Sequence, residues 1–312
     1  MTATAKPFSP WALGAPLYMP AGRRDIMDCA NGEKLAQLRS MIFCTEDAVA
    51  QADLESSLRH LGLCLQGFRE MPYRYRFIRV RNPEVLARLL ALPGIENIDG
   101  FVLPKFDLCT LLAYFDQLQG TSFKLMPTLE TRQAFDIGAM VELRQALLRH
   151  PVLSQIVMLR IGGNDLMALL GIRRQRSLSL YETPMGLVIS QLVTAFKPYG
   201  FAIAAPVFEY LDDIATLRRE ISLDLAHGLA GKTAIHPEQI GVIENAYQVS
   251  QQDYDMALKL LDDNAPAVFK MHNTMCEVST HLSWAREILT RQQYFGVREM
   301  YPANDRIELP CV

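Results

Sequence analysis

The sequence has no run of 18 consecutive apolar residues, which excludes a bilayer-spanning helix. It also lacks a dominant charge. Lys and Arg total 31 against 34 Asp and Glu, so the net charge is −3 and no polybasic tract stands out. Such a balance supplies no electrostatic reason to expect nucleic acid or an anionic membrane as partner. Cysteine and histidine are sparse, six of each in 312 residues. No two cysteines stand at C-x-x-C spacing, and no H-E-x-x-H or H-x-H pair occurs, which argues against zinc. Cys29, Cys44, Cys64, Cys109, Cys276 and Cys311 therefore read as reduced, mostly buried thiols. The opening MTATAKPFSPWALGAP lacks the long apolar stretch of a secretory signal. The expectation is a soluble, cytoplasmic protein.

What is present is alternation. Eight short apolar runs recur: 15–19, 40–43, 76–80, 100–103, 124–128, 156–161, 202–205 and 232–235. Between them lie stretches such as PEVLARLLAL (83–92) and EYLDDIATLRREISLDLAHGL (209–229), apolar at three- and four-residue intervals. Those are helices with one buried face. Alternating β and α units give an open doubly wound sheet or a closed barrel. PAGRRD follows the first run in place of G-x-G-x-x-G, and a count of eight favours the (β/α)₈ barrel. The barrel is expected over 1–245, with 246–312 a helical extension packing on it or on a neighbouring subunit.

Barrels of this kind carry function at the C-terminal ends of their strands. Those ends offer Arg23 and Arg24, Glu46 and Asp47, Arg79 and Arg81, then Lys105, Glu130, Asp165 and His236. Carboxylates and guanidinium groups dominate, and no Ser–His pair or activated Cys appears. Oxygen ligands with open positions suit Mg²⁺ or Mn²⁺. Arginines nearby can grip a carboxylate substrate bidentately. Each group also has an ordinary explanation: Glu130 as a solvated helix start, Asp165 as an N-cap, Glu46–Asp47 as a favourable helix-dipole charge. Arg79, inside an apolar strand, is harder to explain so, because an unpaired buried guanidinium is costly.

The ordered segments FCTEDAV (43–49), FIRVRNP (77–83), GFVLPKF (100–106), PTLET (127–131), IGGNDLMALLG (161–171) and GLAGKTAIHPEQI (228–240) resemble those of the citrate lyase β-subunit, within the HpcH/HpaI aldolase family. The matches run in register over about residues 15–250, and A-I-H-P-x-Q-I is the most particular. The resemblance implies a Mg²⁺-dependent carbon–carbon bond lyase acting on a 2-oxo or hydroxy carboxylic acid, or its acyl ester, through a metal-stabilised enolate. It makes Glu130 and Asp165 the metal ligands. Arg79 becomes the group binding the substrate carboxylate and steadying the enolate. Glu46 and Asp47 become catalytic residues bordering the site and positioning metal-bound water or the arginine. Arg23 and Arg24 stand where relatives keep basic or polar residues that contact substrate. Arg81, which the relatives lack, is read from its place beside Arg79 as a further substrate contact. It also implies a homotrimer or homohexamer.

Three positions depart from the relatives. Cys44 replaces the first acid of D-L-E-D, Arg81 is inserted before Asn82–Pro83, and KMHNTMCEV (270–278) has His272 and Asn273 where acyl-CoA-processing relatives carry the water-activating Asp of M-x-D. Thioester hydrolysis, and coenzyme A as carrier, are thereby put in question. A rival class keeps the barrel as a non-catalytic metabolite-binding or assembly subunit. A phosphate-binding isomerase fits less well, since the seventh and eighth loops lack a glycine-rich cradle.

Overall fold

The computed structural model describes residues 8–298, so Cys311 and the ends of the chain lie outside the described residues. Two compact units are present, one ending at Ile243 and one beginning at Glu244.

The first unit is a parallel βα array. Its strands are β1 (Leu17–Pro20), β2 (Ser40–Cys44), β3 (Tyr75–Arg79), β4 (Gly100–Leu103), β5 (Lys124–Leu129), β6 (Leu159–Ile161) and β7 (Ile203–Ala204), hydrogen-bonded in sequence order. β2, β3 and β4 are buried at every position, as strands covered on both faces must be. The eighth run closes the ring by bridges and not by a full strand. Ala205 pairs with Lys232, and Leu17 with Ala234. The Ala205 amide donates to Gly231 O at 2.7 Å, and the Tyr18 amide to Ala234 O at 3.0 Å. The chain thus runs β1 to β7 and returns through 230–234 to β1. The long sixth run shortens to three residues.

Local chemistry starts the helices where the strands end. Asn82 accepts from the Val85 amide at 2.9 Å, and Pro83 takes the first helical position of Pro83–Leu90. Thr183 and Pro184 do the same for Pro184–Phe196. The amphipathic 209–229 stretch is helical over Ile214–Ala226. That helix is tied to the eighth segment by a buried charge network. Lys232 Nζ lies 2.9 Å from both Glu220 and Asp224, Arg174 meets Glu220 at 2.6 Å, and the Tyr181 hydroxyl donates to Asp224 at 2.8 Å.

The second unit has its own small core of Val249, Ala257, Leu260, Cys276, Ala285 and Ile288. It is not uniformly helical, as its sequence suggested. Between helices Gln251–Leu260 and Val278–Phe295 runs an antiparallel hairpin, β8 (Val268–Met271) and β9 (Thr274–Glu277). His272 and Asn273, with φ of 49° and 63°, form the left-handed pair that a two-residue hairpin turn demands. Among the described residues no helix is long and apolar enough to cross a membrane.

Candidate active site

A cavity of about 400 Å³ opens among the C-terminal ends of the strands. Its wall includes Cys44, Asp47, Arg79, Glu130, Asp165 and Arg160. Arg79 organises one side. One Nη lies 2.5 Å from Glu46, 3.1 Å from Asp47 and 3.1 Å from Glu130, while the other donates to the Tyr18 hydroxyl at 3.3 Å. Burial works against the charge of Arg79, but Tyr18, Glu130 and Glu46 outweigh it and keep the guanidinium firmly protonated.

Glu130 follows β5 directly and is only 2 % exposed. Its Oε1 accepts from Arg79 and, at 2.8 Å, from the Lys105 amide. Lys105 has φ of 47°, and this unusual backbone keeps its N–H beside the carboxylate. Glu130 Oε2 is buried with no hydrogen-bond partner among the described residues. Burial raises Glu130 to about 7, against the pull of Arg79, and Asp165 and Glu46 add to the rise. Glu46, which burial alone would raise, is held below its ordinary value by Arg79 and Lys105. Asp47 at the mouth is raised to about 6 by partial burial and by Glu46 beside it. The Asp47 side chain is more than half exposed to solvent.

Asp165 sits in the first turn of Gly163–Leu169, where the cap position belongs to Gly162. Its carboxylate is 29 % exposed and 3.7 Å from Lys105 Nζ, which also bonds Glu46. The chain therefore brings together two carboxylates of differing exposure, one with a naked buried oxygen. Among the described residues no cluster of three or more His, Cys, Asp or Glu offers a complete cage. Two carboxylates with open positions suit a hard cation that keeps waters and takes substrate oxygens. Gly162 maintains that space, since a Cβ there would come within 2.0 Å of Glu130 Oε2. Gly162→Ala is expected to displace the carboxylate, weaken Mg²⁺ binding at least about tenfold and lower stability by roughly 1–3 kcal/mol. Titration calorimetry and thermal melting would read both; unchanged Mg²⁺ affinity would contradict this placement.

Other sequence candidates fall elsewhere. Arg23 is paired with Asp25 at 2.5 Å and Arg24 is exposed; neither lines the cavity. Arg81 does not share the inward face of Arg79, because β3 ends at Arg79. Its guanidinium instead braces the β2 loop through the Thr45, Glu46 and Val49 carbonyls and Gln51. His236 contacts Glu238 beyond the cavity wall. Cys44 is 3 % exposed and its thiol is pushed up by burial, which suits a filler and not a nucleophile. Tyr18, Thr128 and Arg160 line the cavity without having been anticipated. Arg160 carried a signal: like Arg79, it is a charged residue within an apolar strand.

The fold and site define a βα barrel with a carboxylate-rich mouth, suited to a divalent cation and a small acid. Residues 7–297 match the C–C bond lyase family of the TIM-barrel fold, and the chain belongs to that family. Among curated relatives, a (3S)-malyl-CoA thioesterase of Cereibacter sphaeroides is 26 % identical over 249 residues, covering 77 % of this chain and 79 % of the relative. Among solved structures, CitE of Mycobacterium tuberculosis, in complex with magnesium, acetoacetate and coenzyme A, is 21 % identical with a TM-score of 0.66, covering 90 % of this chain and 98 % of that one. RipC of Yersinia pestis shares 21 % identity with a TM-score of 0.59, covering 76 % of this chain and 96 % of that one. These structural likenesses concern the fold.

Proposed function

We propose that the chain is a Mg²⁺-dependent carbon–carbon bond lyase for a small 2-oxo or hydroxy carboxylic acid or its acyl ester. The observation that carries this reading is Glu130 Oε2, buried and unpartnered beside the cavity, with Gly162 clearing the space around it. Glu130 and Asp165 would hold the ion. A bound divalent ion supplies Lewis-acid stabilisation for negative charge developing on a substrate oxygen. The chain's own groups prepare for that charge. Arg79 and the Lys105 amide fix Glu130 Oε1, and Oε2, packed against Gly162, is left as the carboxylate oxygen with no partner among the described residues. Glu46 fixes Arg79 and Lys105 in turn, and the buried surroundings strengthen each of these interactions. Asp47 holds or releases a proton at the mouth.

Magnesium in the CitE complex supports the choice of ion, and Mn²⁺ is the natural substitute. Lyase chemistry is favoured over thioester hydrolysis because the hairpin tip His272–Asn273 carries no carboxylate. The same reading makes the protein a cytoplasmic homo-oligomer, trimeric or hexameric, whose partner is a small carboxylate. In the test, Glu130→Gln combined with Asp165→Asn is titrated with Mg²⁺ by calorimetry, and the heat of binding is expected to vanish. Normal Mg²⁺ binding by the double variant would sink the mechanism. Metal-dependent release of pyruvate, oxaloacetate or an acetyl product from a hydroxy-acid panel then separates a lyase from a non-catalytic binding subunit.

A further inference from the structure

Arg79 and Arg160 both reach the cavity, but their surroundings differ. Arg79 is pressed by three carboxylates. Arg160, on β6 and only 4 % exposed, has no carboxylate partner among the described residues. Its Nη atoms donate to the Thr233 hydroxyl at 2.6 Å and to the Tyr18 hydroxyl at 3.4 Å, with Met126 Sδ at 3.9 Å. Its Nε is buried without a partner, and so is Oγ1 of Thr128, its register neighbour on β5. A buried cation satisfied only by neutral groups is costly, and the cost is recovered when an anion arrives.

We propose that Arg160, with Tyr18 and Thr128 on the cavity wall and the buried Thr233 as its hydrogen-bond partner, forms a second anion subsite that binds a carboxylate at the far end of the substrate. This rests on the reading of Glu130 and Asp165 as the metal pair. The strands set the spacing. Thr128 lies opposite Arg160 and two residues before Glu130, so the two levels are about 6–7 Å apart along β5. A short dicarboxylate, such as one of four carbons, can present one end to the metal pair and the other to Arg160. Arg79, already neutralised by protein acids, then serves chiefly to position Glu130. The Tyr18 hydroxyl accepts from both arginines. It therefore couples the two levels and keeps its own proton for the ligand.

The test uses two stable probes of equal chain length, malate and 2-hydroxybutyrate, which lacks the distal carboxylate. Each is titrated calorimetrically into the full chain, in Mg²⁺ and again in EDTA. The wild type is expected to prefer malate by about 10- to 100-fold, the range for a hydrogen-bonded charged group. Arg160→Met should abolish that preference while keeping Mg²⁺ binding and a melting temperature no lower than the wild type. Arg160→Lys, which keeps the charge but not the fork, should retain only part of it. Equal affinity of the wild type for the two acids, or full malate preference in Arg160→Met, overturns the assignment. So does failure of both variants to fold, which would make Arg160 structural. Absence of Mg²⁺ binding by the wild type instead overturns the metal reading, and the preference in EDTA still judges Arg160 by itself.

Discussion

Arg79→Met is expected to cost about 3–5 kcal/mol of stability and to abolish activity, because it leaves buried acids with no adequate counter-charge. Glu46 and Glu130, 5 % and 2 % exposed, both lean on this guanidinium. Lys105 would still reach Glu46, but Glu130 Oε1 would retain only the Lys105 amide. The carboxylate would then take up a proton or turn, and Mg²⁺ affinity would fall with it. Arg79→Lys is expected to be intermediate in stability yet almost as poor in activity. A single ammonium cannot meet three carboxylates and the Tyr18 hydroxyl from one position, as the planar fork does. Denaturant unfolding and Mg²⁺ calorimetry on both variants measure this. A methionine variant that unfolds at the wild-type denaturant concentration would show that the acids do not depend on Arg79. The contrast with Arg160→Met, where no loss of stability is expected, separates a guanidinium balanced by protein from one awaiting a ligand.

Lys232→Met should be comparably damaging at neutral pH, again by about 3–5 kcal/mol, for a reason unrelated to the cavity. Lys232 is 1 % exposed and supplies the positive charge between Glu220 and Asp224. Burial works against the charge of Glu220, but Lys232 and then Arg174 outweigh it and hold the group at about 2. A folded value below the unfolded one stabilises at pH above the unfolded value, and that stability is lost as pH falls from about 4.5 towards about 2. Asp224 runs the other way, since burial raises it in spite of Lys232. Deprived of the lysine, it gains from protonation. Acidification therefore weakens the Glu220 contribution in the wild type and relieves both acids in the variant, where neither faces the lysine, so the gap between them should narrow from about pH 7 to about pH 4. Denaturant titrations at both values measure the gap; a constant or widening gap would mean the network does not behave as coupled charges.

Much of the barrel could be read locally. All eight apolar runs lie on or beside a strand or bridge of the ring, and β4 coincides with its run at Gly100–Leu103. What could not be read was which runs shorten or merely bridge. Pairing with neighbours decides that, as for Lys232 and Ala234 between β7 and β1. The hairpin was missed because β8 alternates exposed and half-buried positions, and its strongest mark is the backbone conformation of His272 and Asn273. Arg23, Arg24 and Arg81 followed strand ends in the chain, as functional residues do, but their guanidinium groups find Asp25, solvent and loop carbonyls.

By itself the sequence determined the alternating βα architecture and the family. It also put Glu130 and Asp165 just past consecutive strands, because strand length, helix periodicity and motif order are local properties of the chain. Tertiary structure alone decided how the arginines divide their work. Arg79 meets Glu130 across 51 residues of chain, and Arg160 meets Tyr18 across 142. No local propensity controls contacts at such separations. Only closure of the ring sets one guanidinium among acids and leaves the other facing the cavity without one.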